Sequence, residues 1–173
     1  MKLVHLGLAA LAAACGNFPD RPGSSFDVYV DPAFGPQLGD VVAAVDAWQS
    51  AAPGLVMRVQ IAALVCDSSC THTITIHPST TAAIAAANHV ASFDPFGSCD
   101  REWHDDHNGE REYANISVAS DISPDDWHKV VLHEIGHGLA LQHTGSGTVM
   151  CSPTDCGASS ITPADVAQYQ GLR

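Results

Sequence analysis

The sequence predicts an α+β domain built on a mixed, twisted sheet of about four to five strands with three main helices. Short runs rich in apolar and β-branched residues, typical of strands, occur at 26–30, 55–65, 71–77 and 113–119. Apolar residues recur at helical spacing within 36–52. Two more helix starts, each with a capping residue followed by a proline, lie in the last third of the chain. The order of strand, helix, strands and then two helices is that of an α/β or α+β domain with a mixed sheet.

Each predicted element of the first half has a local cause. The strand at 26–30 stops at an Asp-Pro pair, and the helix at 36–52 stops at a Pro-Gly pair. The strands at 55–65 and 71–77 are joined through a short loop that is bounded by two cysteines. The alanine-rich stretch at 81–90 predicts a short helix.

The second half begins with a stretch that carries few strand signals. Residues 92–112 contain a proline and a glycine close together and then many acidic and histidine residues, so we expect a long surface loop there. A strand at 113–119 follows. Ser123 is a good N-cap with a proline after it, and this helix runs on past residue 133. Thr162 opens a last helix, which ends at about residue 170.

Size and charge limit the classes of protein and partner. The 173 residues are enough for one domain with a hydrophobic core but few for two. The hydrophobic fraction of 46% is ordinary for a globular protein. The net charge of −12 argues against nucleic acid or an anionic membrane surface as a partner, because both would repel the chain.

The N-terminus predicts export. Residues 1–14 combine Lys2 with an apolar run that is too short to span a bilayer, which indicates a signal peptide. The run ends in a stretch that resembles a bacterial lipoprotein box, in which Cys15 would carry the lipid. That box usually has leucine where this chain has Ala12. Ordinary signal-peptide cleavage, followed by secretion of the protein without lipid, is therefore the alternative. Residues 15–25 are then a tether and 26–173 the domain, located outside the cytoplasm, either lipid-anchored at a bacterial membrane or cell surface or secreted.

Six cysteines favour an oxidising compartment. Cys66 and Cys70 flank one short polar loop, and Cys151 and Cys156 flank another. Local disulfides across each loop are therefore expected, which leaves Cys99 odd if Cys15 carries lipid. The sequence does not fix the pairing.

The most informative stretch is residues 133–150, HEIGHGLALQHTGSGTVM. His133 and His137 are four apart and therefore lie on one face of a helix. His143 can join them only if the helix ends and the chain turns back. Three imidazoles leave a fourth position open, as in catalytic zinc sites, and Glu134 could take a proton from a zinc-bound water. The alternative is a helix with surface histidines spaced by chance, but the complete pattern favours the zinc site.

This stretch resembles the metzincin zinc endopeptidases, and most closely their matrixin branch. The resemblance extends over about residues 26–171, although only 133–150 is specific. It implies a zincin-like fold in which the active-site helix is followed by a Met-turn and a C-terminal helix. It also implies that the zinc ligands are His133, His137 and His143. Glu134 would then be the general base, and Met150 the methionine beneath the metal.

The chain departs from the family pattern at three places. Ala140 stands where the family has a glycine at positive φ, which costs alanine about 1–2 kcal/mol unless the turn is built differently. The segment after Met150 reads Met-Cys-Ser-Pro, one residue longer than the matrixin Met-Tyr-Pro, so the specificity pocket is expected to be reshaped. The third departure is that the residues before the domain are expected to be too few for a folded pro-domain. Cys15 and Gly16 are faintly similar to the matrixin cysteine switch, but a lipidated Cys15 could not block zinc.

We therefore expect a zinc-dependent endopeptidase that hydrolyses extracytoplasmic proteins or peptides by Glu-assisted attack of zinc-bound water. The expected cofactor is one catalytic Zn²⁺. A structural Zn²⁺ or Ca²⁺ at the acidic residues of 104–110 has no recognisable ligand spacing, and a solvated loop is favoured there. The expected protein is a monomer that binds a protein or peptide substrate and meets a membrane only through lipid. The alternatives are a catalytically silent zinc-containing surface lipoprotein and a restricted exopeptidase or cell-wall amidase.

Overall fold

The computed structural model describes residues 24–87, 97–106, 109–151 and 158–172. Within these residues five strands form one sheet in the order β2-β1-β3-β5-β4. Neighbouring strands are parallel except β4, which runs antiparallel to β5. The predicted mixed sheet of an α+β domain is confirmed. The strands are β1 (Ser25–Val30), β2 (Val56–Ile61), β3 (Thr73–Ser79), β4 (Gly97–Asp106) and β5 (Gly109–Ala119).

Three main helices accompany the sheet, as predicted, together with one short helix. Two of them, α1 and α3, contact each other and the sheet. Across the described ranges no helix combines the length and apolarity that crossing a membrane would require. The predicted signal peptide at 1–14 and Cys15 lie outside the described residues. The helices are α1 (Leu38–Ala51), α2 (Thr81–Ala87), α3 (Pro124–Gly138) and α4 (Pro163–Gly171).

The predicted helix starts are confirmed by their caps. The Ser123 hydroxyl accepts a hydrogen bond from the Asp126 N–H, and a proline fills the first turn of α3. Thr162 caps α4 in the same way and forms a capping box with Asp165. Helix α1 starts later than predicted because Asp31 first caps a separate 3-10 helix, Pro32–Gln37.

The expected surface loop at 92–112 is wrong for most of its length. Strands β4 and β5 form an antiparallel pair whose register runs from Gly97 opposite Val118 to Asp106 opposite Gly109. The many charged residues of this stretch suggested a loop, but β4 lies at the edge of the sheet, where charged side chains are tolerated and discourage aggregation. Strand β5 accordingly begins at Gly109 rather than at residue 113.

The core lies between the sheet and helices α1 and α3. Trp48 of α1 is fully buried there, and its Nε1–H donates to the Leu132 carbonyl of α3 at 2.9 Å. This bond satisfies a buried polar group that would otherwise cost about 1–3 kcal/mol. It also fixes α3 against α1. Fully buried strand residues complete the core: Val28, Val30, Ile74, Ile76, Ile116 and Val118.

A disulfide-closed loop is hydrogen-bonded to Asn115 of β5, which also accepts from Thr75 of β3. Cys66 and Cys70 are disulfide-bonded, as predicted. The Asn115 side chain accepts from the Cys66 N–H at 2.8 Å and donates to the Cys66 carbonyl at 2.9 Å, while Thr75 donates to the same amide oxygen at 2.7 Å. Cys151 is also disulfide-bonded. Its predicted partner, Cys156, lies outside the described residues.

Gly136 is where two large side chains approach α3 closely. A Cβ at this position would overlap the Sδ atom of Met150 and would lie 3.1 Å from Cζ2 of Trp48. Glycine is therefore required in the middle of this helix for packing, although it is a poor helix former.

We predict that Gly136→Ala lowers the free energy of unfolding by about 1–3 kcal/mol, because overpacking outweighs the gain in helix propensity. The matched control is Gly39→Ala in α1, where an added Cβ meets no heavy atom within 4 Å. That variant should be neutral or more stable by up to about 1 kcal/mol. Urea unfolding of both variants measures the difference. Equal effects of the two substitutions would contradict the packing account.

Candidate metal centre and active site

Helix α3 supplies two of the three predicted metal ligands and the predicted general base. His133 and His137 are buried and lie one turn apart, with ring centroids separated by 4.6 Å. Glu134, between them in sequence, is also buried. The expected placement of both imidazoles on one helix face is confirmed.

The chain reverses direction just after α3, which is what His143 requires. The Leu141 N–H donates to the Gly136 carbonyl at 3.0 Å, and the Ala140 N–H donates to the His137 carbonyl at 2.9 Å. This pair of bonds is a Schellman motif, which places one residue in the left-handed region. That residue is Ala140, with φ of 70°. The chain therefore turns back with alanine at a left-handed position that usually favours glycine.

The turn brings the third imidazole to the other two. Nε2 of His143 lies 3.2 Å from Nε2 of His133 and 3.1 Å from Nε2 of His137. The ligand atoms of all three side chains lie within 4.8 Å of one another, and His143 is the most exposed of the three. The structure thus assembles the predicted ligand set.

The opposite ring nitrogens show which atoms face the shared point. Nδ1 of His133 donates to the Val149 carbonyl at 2.8 Å, and Nδ1 of His137 donates to the Leu141 carbonyl at 2.9 Å. In neutral rings these bonds leave a lone pair on each Nε2. A metal ion at the shared point would accept these lone pairs.

The spacing also fits a zinc ion. Zinc–imidazole bonds of about 2.0–2.1 Å in tetrahedral geometry place ligand nitrogens about 3.3 Å apart. The observed separations of 3.1 and 3.2 Å are close to that value. In such sites a backbone carbonyl commonly accepts a hydrogen bond from Nδ1–H and so orients the ligating ring. The three histidines therefore suit a divalent metal with at least one open position.

Burial keeps His137 available as a ligand. Desolvation lowers the pKa of His137 to about 3, with a further contribution from the neighbouring His133, while the hydrogen bond to the Leu141 carbonyl acts in the opposite direction. At neutral pH the ring is uncharged and its Nε2 lone pair is available.

The Glu134 carboxyl group packs against the first residue of β4. A Cβ added to Gly97 would overlap Oε1, Cδ and Cγ of Glu134. Glycine at position 97 thus leaves the room that this side chain occupies. No sequence pattern pointed to Gly97, because the stretch around it was expected to be a loop.

Met150, the residue assigned to a Met-turn from the sequence, packs against α3. It is fully buried, with its Sδ atom against Gly136. The segment from His143 to Met150 closes on itself, since the Thr144 N–H donates to the Met150 carbonyl at 2.6 Å and Thr144 forms a bridge with Cys151. The lengthened segment after Cys151 lies outside the described residues.

Other candidate residues contribute no second site within the described residues. Among those residues, His133, His137 and His143 form the one group of three that could hold a metal. The acidic residues considered for a structural ion lie on β4 and β5 or between them, and their side chains are not among those described. His72 and His77 each pair with a carboxylate instead, Glu112 and Asp31, both at 3.2 Å.

Comparisons with known proteins give a distant similarity in fold. No protein-family model matches the chain, and no curated protein is significantly similar to it in sequence. The fold is similar to the crystal structure of metalloproteinase-II from Bacteroides fragilis, with a TM-score of 0.46 and 11% sequence identity. The similarity covers 91% of this chain and 55% of the other, so this chain spans little more than half of that protein's length. Similarity at this level carries no information on activity.

We predict that Ala140→Gly raises the free energy of unfolding by about 0.5–1 kcal/mol. Relief of the positive-φ strain, about 1–2 kcal/mol, exceeds the added entropy of the unfolded chain. The matched control is Ala43→Gly on the exposed face of α1, which should lose about 1 kcal/mol. Thermal unfolding of the metal-loaded variants tests the pair. A loss of stability in both would show that position 140 is not strained.

Proposed function

We propose that this protein is a zinc-dependent endopeptidase of the metzincin type, close to the matrixin branch. The observation that carries the proposal is the convergence of three Nε2 atoms, two of them from the helix that also carries the buried Glu134. Three neutral nitrogen ligands with an open position suit Zn²⁺, and a carboxylate next to the ligands is what metal-assisted hydrolysis needs.

The chemistry divides between the metal and the chain. Bound zinc would lower the pKa of a water molecule and polarise the carbonyl group of the substrate. Glu134 would accept a proton from the attacking water and then deliver it to the leaving amine. Glu134 is next to His133 in sequence and is not one of the three residues grouped as ligands. Gly97 would keep the Glu134 side chain on the ligand side of β4.

The edge strand offers a path for the substrate. Strand β4 lies at the end of the sheet, and its first residue contacts the carboxyl group of Glu134. An extended peptide could pair with the backbone of such an edge and so bring a peptide bond to the site. This arrangement favours cleavage within a chain, although the residues after Cys151 that would shape a side-chain pocket are outside those described.

We also propose that the protein acts outside the cytoplasm. The Cys66–Cys70 disulfide and the disulfide-bonded Cys151 favour an oxidising compartment. The N-terminal apolar run supplies an export signal, and lipidation of Cys15 would anchor the domain to a membrane. With a net charge of −12, the chain would be repelled by anionic lipid.

Digestion of a peptide library tests the activity, its metal dependence and its side-chain preference together. Wild type should bind about one zinc per chain and cleave internal peptide bonds, and a chelator should abolish cleavage until zinc is restored. Glu134→Gln should lower kcat about 10²–10⁴-fold while zinc binding is kept, because the amide cannot accept the proton. Mass spectrometry of the products and metal analysis measure these effects.

Asp46→Asn, an exposed substitution on α1, is the matched control and should leave cleavage unchanged. A zinc-loaded wild type that cleaves no peptide would favour the catalytically silent surface lipoprotein. Release of single terminal residues only would favour an exopeptidase. Unchanged cleavage by Glu134→Gln would refute the proposed role of this residue.

Gly97→Ala separates positioning of the general base from metal binding. The added methyl group would displace the carboxyl group of Glu134, and we expect kcat to fall by about tenfold to a hundredfold from the misplacement alone. Zinc content and KM should change little, since the three histidines are untouched. Gly145→Ala, where an added Cβ meets no heavy atom within 4 Å, is the control. Wild-type kcat in Gly97→Ala would show that Glu134 is not confined by β4.

A further inference from the structure

Asp165 makes two sets of hydrogen bonds, and only one of them belongs to a helix cap. The side chain is fully buried near the start of α4. Its Oδ2 atom accepts from the N–H and the hydroxyl of Thr162 at 2.8 and 2.7 Å, as a capping box requires. The carboxylate also accepts from the N–H groups of Val149 and Met150, at 3.1 and 3.2 Å. The cap does not explain this second pair.

The second pair leads to the metal ligand His133. The Met150 N–H and the Val149 carbonyl belong to the same peptide unit, which is planar and points them in opposite directions. Oδ1 of Asp165 holds the N–H end of this unit, and Nδ1 of His133 donates to the carbonyl end. A carboxylate, a peptide unit and an imidazole are thus connected in series through buried groups.

We propose that Asp165 is a positioning residue for the ligand His133. By holding the Met150 N–H, Asp165 fixes the plane of the Val149–Met150 peptide and aims its carbonyl at Nδ1 of His133. That bond keeps the proton on Nδ1 and directs the Nε2 lone pair toward the other two histidines. The negative charge also polarises the peptide, which strengthens its carbonyl as an acceptor and makes the imidazole a better ligand.

The proposal makes α4 part of the metal site although none of its residues reaches the metal. It rests on the metal-binding half of the proposed function and not on peptide hydrolysis. Its competitor is a purely structural role, in which Asp165 caps α4 and ties α4 to the segment before it.

Two variants distinguish these roles. In Asp165→Asn an NH₂ group replaces one of the two oxygens. Both oxygens accept hydrogen bonds in the native protein, so the NH₂ group loses the bonds of whichever oxygen it replaces. The arrangement that loses fewer bonds turns the NH₂ group toward the Met150 N–H and so breaks the connection to His133. Thr162→Val is the matched control, because it removes the capping hydroxyl and leaves both peptide N–H bonds of Asp165 in place.

The experiment measures zinc affinity by competition with a chromophoric chelator, the visible spectrum of the Co²⁺-loaded protein, and thermal stability, all on the full chain. Asp165→Asn should raise the Kd for zinc about 10–100-fold, which is the usual effect of losing a group that orients a metal ligand. It should also shift the Co²⁺ absorption bands. Thr162→Val should lower the Tm while Kd and spectrum stay those of wild type. Wild-type Kd and spectrum in a folded Asp165→Asn would overturn the proposal.

The imidazole ¹⁵N shifts of the metal-free wild type give a second test that needs no variant to fold. The proposal predicts that neutral His133 carries its proton on Nδ1, and a proton on Nε2 instead would overturn it. If wild type bound no zinc, the proposed function would fail, whereas the Nδ1 tautomer of metal-free His133, and its loss in metal-free Asp165→Asn but not in Thr162→Val, would still test the role of Asp165. The two failures are therefore distinguishable.

Discussion

Convergence of three imidazole nitrogens on one point is the constraint on which the rest of the structure depends. Nε2 of His143 lies 3.1 and 3.2 Å from Nε2 of the other two histidines. Bringing side chains from a helix and from the chain beyond it to one point requires the surrounding fold to hold each ring in place. Backbone carbonyls accept hydrogen bonds from Nδ1 of His133 and of His137. Helix α3 is itself held by the Trp48–Leu132 hydrogen bond. Metal binding and the stability of this region are therefore expected to be linked.

Much of the fold and nearly all of the ligand set could be predicted because the signals are local. Helix spacing places His133 and His137 on one face whatever the tertiary structure. The caps at Ser123 and Thr162 are short patterns whose hydrogen bonds form within four residues. The strained turn could also be anticipated, since a ligand six residues after His137 requires the chain to reverse, and Ala140 does adopt the left-handed conformation.

The parts that could not be predicted depend on neighbours distant in sequence. The residues of β4 form a strand because β5 pairs with them, and their many charges conceal the pattern. The hydrogen bond to Nδ1 of His133 comes from the backbone carbonyl of residue 149. Any residue at that position could supply this carbonyl, so the sequence does not predict the bond. Gly97 is informative only once β4 is known to lie against Glu134.

Two buried carboxylates near the metal centre show how environment divides the roles of one chemical group. The oxygens of Asp165 accept hydrogen bonds from three residues, so this side chain is held still and suits positioning. Glu134 instead extends from the ligand helix toward Gly97, where the chain supplies no side chain to crowd it. A general base must gain and lose a proton during each turnover, which a carboxylate saturated with fixed donors does poorly. Asp165 is thus suited to holding a peptide behind His133 rather than to exchanging protons, whereas the role proposed for Glu134 depends on the room that Gly97 leaves for its carboxyl group.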